Sequence, residues 1–132
     1  MYKLIEIKEY CMTRDLIFEN EKTKKIEMCF DDSDLIYRKV KLHINELYDC
    51  KIKLLGDVTE DLESRYGKVI KLEKETVCII GNRKFFLVHD CFGNLYYINY
   101  DEVKLCPQKF LYNFTRCDLL QLNNVVHERC IE

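Results

Sequence analysis

Apolar and polar residues alternate along much of the chain with a period of two, which is the spacing of a strand with one buried face. In the segment YDCKIKL, the positions that share one face are Tyr48, Cys50, Ile52 and Leu54. The segment KIEMCF predicts the same arrangement, with Ile26, Met28 and Phe30 inward and Lys25, Glu27 and Cys29 outward. The dominant pattern therefore predicts a mainly β protein.

Further short strands are predicted on both sides of these two. LIFEN is the expected hairpin partner of KIEMCF, KLIEIKEYCM the first strand, and VKLHI a short additional one. After the polar stretch DVTEDLESRYGK come KVIKLE, TVCII, KFFLVHD and LYYINY. Gly81-Asn82 and Gly93-Asn94 supply the positive-φ positions that tight hairpins require. Strands this short and evenly spaced indicate a meander, a sandwich or a small barrel.

The last part of the chain has a helical spacing instead. Pro107 can open a helix, since its missing N–H has no partner in the first turn. One helical face would then carry Phe110, Phe114, Cys117 and Leu120. The predicted fold is therefore a small barrel or sandwich of about 7–9 short antiparallel strands with a C-terminal helix over 107–122.

A chain of 132 residues is the length of one domain, 1–132. Two β sub-units, 1–56 and 67–105, that share one core are an open alternative. Residues 67–105 resemble an SH3-like small barrel in strand rhythm, and residues 1–56 resemble the opening strands of an OB-type barrel. The resemblance rests on strand rhythm and includes no diagnostic motif, so it identifies no family.

Composition and cysteine spacing narrow the class of protein. Hydrophobic residues make up 48% and charged residues 33%, as in ordinary soluble proteins. The start MYKLIEIKEY lacks the basic and apolar segments of a signal peptide, and no apolar run approaches the roughly 20 residues of a membrane span. We therefore expect a cytoplasmic protein. The eight cysteines include no C-x-x-C pair, so we expect reduced, mostly buried thiols.

Catalytic and metal-binding motifs are not evident in the sequence. The chain contains no G-x-S-x-G, P-loop, H-E-x-x-H or G-x-G-x-x-G motif. His89 and Cys91, two residues apart on a predicted strand, form a weak zinc pair without a second close pair. We predict a protein that is not an enzyme and needs neither a cofactor nor a metal. An uncharacterised metal-dependent enzyme is the catalytic alternative.

Two acidic segments, each following a predicted strand, carry the leading functional hypothesis. The first contains Asp31, Asp32 and Asp34, and the second contains Asp57, Glu60, Asp61 and Glu63. If both loops lie at the same end of a barrel, seven carboxylates converge and attract a basic protein surface. Tyr37 and Tyr66 lie beside these segments, and tyrosine is common at interface hot spots. We therefore predict a small binding protein, of the immunity-protein or phage-inhibitor type, whose partner has a basic surface.

The segment HDCFGNLYYINYDEV supports an alternative, because it gathers aromatic rings around a Gly-Asn turn. On a barrel face, Phe86 and Tyr97 would stack bases while Lys51 and Lys53 contact phosphates, which is the pattern of single-stranded nucleic-acid binding. Neighbouring acids and the net charge of −2 oppose this interpretation. A hairpin with both faces mostly covered is the favoured interpretation.

Overall fold

The computed structural model describes all 132 residues and is mainly β, with 56% of the chain in strands. The strands are β1 (Tyr2–Glu9), β2 (Arg14–Asn20), β3 (Ile26–Asp31), β4 (Leu47–Tyr48), β5 (Cys50–Thr59), β6 (Lys68–Ile80), β7 (Arg83–His89), β8 (Leu95–Asn99), β9 (Lys109–Leu122) and β10 (Val125–Val126). The helical elements are α1 (Asp34–Lys39), α2 (Tyr100–Val103) and one 3-10 turn, Glu128–Cys130. The mainly β prediction is confirmed. No helix in the structure has the length and apolar character needed to cross a membrane.

All ten strands belong to one mixed sheet with the order β4-β1-β2-β3-β9-β5-β8-β7-β6, and β10 pairs with β9. Strand β6 also pairs with β9, so the pairing runs from β9 through β5, β8, β7 and β6 back to β9 as a partial ring. The β3–β9 and β5–β8 pairs are parallel, which corrects the prediction of antiparallel strands only. The sheet is not a clear barrel, and it has ten strands rather than about 7–9.

The predicted C-terminal helix over 107–122 is wrong, because this segment contains strand β9. Strand β9 pairs with β5 along almost its whole length, and Thr115 and Leu120 have no partner on β5 because each lies in a bulge. A bulge adds one residue to a strand and moves the inward positions from even to odd numbers or back. The two bulges therefore create the two three-residue steps, from Phe114 to Cys117 and from Cys117 to Leu120, that imitate a helix.

The two faces of β3 are opposite to those predicted. Glu27 is only 5% exposed, whereas Ile26 and Met28 are 55% and 52% exposed. The buried carboxylate has polar partners, since Lys25 Nζ lies 3.1 Å from Glu27 Oε1 and the Tyr96 hydroxyl donates to the same oxygen at 3.1 Å. The two-residue alternation of β3 was predicted correctly, but the face that is buried was not.

Residues 40–44, predicted as a strand, form none, and the helix α1 before them was not predicted. Helix α1 begins after Ser33, whose hydroxyl oxygen accepts the backbone N–H of Ile36 at 3.0 Å. The Ile36 side chain is fully buried and anchors the helix to the main core. Six residues are too few to display a helical period, so only the serine cap signals this element in the sequence.

Two apolar clusters cover opposite faces of the β7–β8 hairpin. The main core contains 20 buried residues, among them Val88 and Tyr96, and the half-buried Phe86 packs against it. Phe85 points the other way, because successive strand residues face opposite sides. It belongs to the second cluster, which consists of Ile80, Phe85, Leu120 and Cys130. The prediction that both faces of this hairpin are covered agrees with the structure.

All eight cysteines are free thiols in the structure, as expected from the absence of paired spacing. Four are buried, and Cys29, predicted to point outward, is among them. Burial raises the pKa of the Cys29, Cys50 and Cys117 thiols well above the ordinary value. These thiols are therefore protonated near neutral pH and act as small apolar side chains.

Candidate functional site

The first acidic segment lies at the end of β3, where two of its three carboxylates bind cations of other elements. Asp31 is 2% exposed, and its Oδ2 accepts from Arg14 Nε at 2.7 Å. Asp34 is at the surface and pairs with Arg38 of the same helix at 2.9 Å. Asp32 has partners from the C-terminal segment. None of these three carboxylates is free to attract a partner by its charge alone.

A group of contacts, here called the C-terminal clasp, joins Asp32 and Ser33 to His127, Glu128 and Arg129. Asp32 Oδ1 accepts from His127 Nε2, and Asp32 Oδ2 accepts from Arg129 Nη2, both at 2.7 Å. The Ser33 hydroxyl donates to Glu128 Oε1 at 2.6 Å. Because His127 Nδ1 accepts the backbone N–H of Arg129 at 3.0 Å, the ring proton lies on Nε2 and points to Asp32.

Acid is expected to open the C-terminal clasp. Burial raises the pKa values of Asp32 and Glu128, but the hydrogen bonds and positive charges around them together lower these pKa values by more, so both lie below the ordinary 3.8 and 4.5. Carboxylates with lowered pKa values stabilise the folded state above their ordinary pKa and lose that contribution as pH falls through the folded-state pKa. Below about pH 4, backbone NMR resonances of residues 127–131 should shift before those of β5. Simultaneous loss of both sets of resonances would contradict this expectation.

The second acidic segment is exposed and lies away from the first. Asp57, Glu60, Asp61 and Glu63 are all exposed, and none of them takes part in an ion pair. Asp57 pairs in register with Asn113 of β9, whereas Phe30, just before the first segment, pairs with Asp118. Asn113 and Asp118 are five residues apart along β9, which corresponds to about 16 Å at the rise per residue of an extended strand. The seven carboxylates do not converge into one patch.

A cleft of about 320 Å³ lies between the β1–β2 connection and α1, above the buried Arg14–Asp31 pair. Its rim holds three large exposed side chains, with Tyr10 57%, Met12 88% and Tyr37 57% exposed. Of the residues predicted to bind a partner, the cleft brings together Asp31, Asp32, Asp34 and Tyr37. Tyr66 is 75% exposed, and it belongs to the other acidic segment and not to the cleft.

Two of the rim side chains are held in place by the protein itself. The Arg14 guanidinium carbon lies 4.9 Å from the centre of the Tyr37 ring, in a cation–π contact. The Tyr10 hydroxyl donates to Asp15 Oδ2 at 3.0 Å. Tyr10 and Met12 were not predicted from the sequence as site residues. Their signal was the pair of large apolar residues in EYCMT, a connection in which polar residues are usual.

The four residues predicted to bind nucleic acid do not form one platform. Lys51 Nζ lies 5.9 Å from the centre of the Tyr97 ring, and Lys53 pairs in register with Tyr97. Phe86 lies on the opposite face of the sheet and stacks on Tyr100, with ring centres 5.2 Å apart. Lys51, Lys53 and Tyr97 therefore share one face without the second predicted ring.

His89, half of the weak zinc pair, lies beside two carboxylates. Its Nε2 is 3.1 Å from Glu73 Oε2, and its Nδ1 is 2.8 Å from Glu75 Oε1, at an angle that forms no hydrogen bond. The structure contains no group of three His, Cys, Asp or Glu side chains arranged to hold a metal ion.

The cleft is the place where predicted partner-binding residues and large exposed side chains coincide. Comparison of the chain with protein-family models, with curated proteins and with solved structures gives no significant match.

Proposed function

We propose that the chain is a small non-enzymatic binding protein that docks a protein partner in the cleft between the β1–β2 connection and α1. The observation that carries this proposal is that three large exposed side chains, those of Tyr10, Met12 and Tyr37, surround one concave surface. Tyrosine and methionine are enriched in the centres of protein interfaces, where a few such side chains provide most of the affinity.

Two of the rim side chains are held in fixed positions by the protein itself, which favours binding. Tyr37 is stacked on Arg14, and Tyr10 is hydrogen-bonded to Asp15, before any partner arrives. Side chains that are already ordered lose less conformational entropy on association, so more of the contact energy remains as affinity. The buried ion pair below the cleft fixes the position of Arg14 and, through it, of Tyr37.

A partner with a basic surface would be attracted by the exposed carboxylates that have no ion pair within the protein. Glu9 lines the cleft at the surface, and the exposed segment from Asp57 to Glu63 contains four unpaired carboxylates. Because the second segment lies apart from the cleft, it contributes a long-range attraction that speeds encounter and makes no contact of its own. An immunity-protein or phage-inhibitor role requires binding of this kind.

The test compares cleft and loop variants against a partner captured from the native host, identified by mass spectrometry and then purified. Tyr37→Ala should weaken binding by roughly 30-fold through faster dissociation, because it removes a hot-spot side chain. Tyr10→Ala should act in the same direction. Tyr66→Ala is the matched control, since Tyr66 is equally large and more exposed but lies outside the cleft.

The outcomes separate the cleft from the acidic segment. Neutral amides at Asp57, Glu60, Asp61 and Glu63 should slow association at low salt and leave dissociation unchanged. Equal dissociation rates for the wild-type protein and the Tyr10 and Tyr37 variants would refute docking in the cleft. An unchanged association rate for the amide variant would refute only the steering role.

A further inference from the structure

We propose that the small cavity beside the C-terminal clasp, on the face that carries the second apolar cluster, is a binding site for a phosphoryl group. The cavity has a volume of about 90 Å³ and lies between the 3-10 turn, β5, β7 and β9. Three cationic side chains from three separate elements line it, namely Lys53 of β5, Arg83 at the start of β7 and Arg129 of the 3-10 turn.

The carboxylates beside this cavity already have cationic or hydrogen-bonding partners. Asp118 is paired with Arg116, with Nε–Oδ1 and Nη2–Oδ2 distances of 2.6 and 3.1 Å. Asp32 accepts from His127 and Arg129 in the C-terminal clasp. Lys53 and Arg83 take part in no ion pair in the structure.

The positive potential of the three cations extends to a buried atom in the cavity wall. Cys130 is 3% exposed, and its side chain lines the cavity. Burial raises the pKa of its thiol overall, while Arg83, Lys53 and Arg129 each act to lower it. An anion placed in the cavity would experience the same three cationic charges, of which that of Arg129 is shared with Asp32.

Size and donor chemistry select the ligand. A cavity of about 90 Å³ is large enough to admit a tetrahedral oxyanion. Two guanidinium groups and one ammonium group are the donors that proteins use for phosphate, with arginine providing two parallel hydrogen bonds. The phosphoryl group is either free phosphate or the phosphate of an ester whose remainder lies outside the cavity, on the face that carries Tyr97.

The site is distinct from the proposed docking cleft, although Asp32 borders both cavities. Lys53 and Arg83 do not line the cleft, so substitutions there leave the docking surface unchanged. A failure of phosphate binding would therefore say nothing against partner docking.

The full chain should be titrated with sodium phosphate at pH 7 and followed by ¹H–¹⁵N NMR, against sodium chloride at equal ionic strength. We expect saturable shifts at Lys53, Arg83 and Arg129 with phosphate and none with chloride. Arg83→Gln should weaken binding roughly tenfold, because it removes charge-assisted hydrogen bonds, and Arg83→Lys should weaken it less. Lys8→Gln, which changes an exposed cation of β1 outside the cavity, should bind as the wild type does.

Two further titrations separate the sources of the phosphoryl group. Adenosine monophosphate binding more tightly than inorganic phosphate, with new shifts at Tyr97, would assign the site to a phosphate ester. Equal affinity without shifts at Tyr97 would assign it to free phosphate, and adenosine alone should not bind in either case. No saturable shift with any phosphate compound, or equal affinity of wild type and a folded Arg83→Gln variant, would overturn the proposal.

Discussion

Replacing Asp31 by asparagine is expected to lower the free energy of unfolding by about 3–5 kcal/mol, the range for breaking a buried ion pair by removing one partner. The Arg14 and Asp31 side chains are only 6% and 1% exposed. Asparagine keeps the shape and still accepts the backbone N–H of Ser33, a bond of 3.0 Å in the wild type. It removes the negative charge, and the Arg14 guanidinium, whose Nη2 already lacks a hydrogen-bond partner, is left buried without a counter-ion.

Urea unfolding of the wild type and the Asp31→Asn variant, followed by circular dichroism, measures this loss. Asp34→Asn is the matched control, because it breaks an ion pair of the same residue types that is 63% and 72% exposed. Its expected loss is less than about 1 kcal/mol. The double variant Arg14→Met with Asp31→Asn should recover most of the stability, since no buried charge remains and asparagine still accepts the Ser33 N–H. A loss for Asp31→Asn no larger than that for Asp34→Asn would mean that the buried pair does not stabilise the fold.

Gly56→Ala is expected to destabilise the protein by about 3 kcal/mol, at the upper end of the usual range for overpacking. A Cβ atom at Gly56 would overlap the carbonyl oxygen of Asn113 and lie 2.7 Å from the Cα of Phe114. Both obstacles are backbone atoms of β9, which cannot move aside like the end of a flexible side chain. At Phe114, β9 pairs with β5 on one side and β6 on the other, so the substitution would separate strands within the partial ring.

Gly93→Ala provides the comparison for Gly56→Ala. Gly93 has a φ of 88°, which strains any other residue, but a Cβ atom there would meet no atom within 4 Å. The expected loss is about 1–2 kcal/mol, from backbone strain alone. Thermal unfolding of both variants separates close packing from backbone conformation. An equal loss at the two positions would show that β5 and β9 can move apart at little expense.

Strand periodicity was the part of the fold that could be predicted from sequence. It located β1, β2, β3, β5, β7 and β8 and the positive-φ turns at Gly81 and Gly93, whose φ values are 59° and 88°. The buried face of β3 could not be predicted, because one of the partners that Glu27 has in the core, Tyr96, is 69 residues away in the sequence. Strand β9 was missed because two bulges disturb its period, and bulges depend on the partner strand.

The candidate site was predicted in part, for a similar reason. The first acidic segment and Tyr37 do border the cleft, but the ion pairs of Asp31 and Asp32 join residues 17 and 97 positions apart. No spacing rule in the sequence signals such partners. Tyr10 and Met12 become recognisable as rim residues only once the β1–β2 connection is placed beside α1. Binding of a protein partner in the cleft remains a prediction, which the Tyr10→Ala and Tyr37→Ala variants test.

The place of β9 in the chain, after the three strands β3, β5 and β6 that pair with it, has a consequence for synthesis of the protein. Strands β3, β5 and β6 all pair with β9, so these three strands lack a shared neighbour until residues 109–122 have left the ribosome. Until then, their unpaired backbone edges are open to other chains, which makes the nascent polypeptide prone to aggregation. The sheet is therefore completed only after β9 has left the ribosome, and a chain truncated before β9 would depend on chaperones to remain unaggregated.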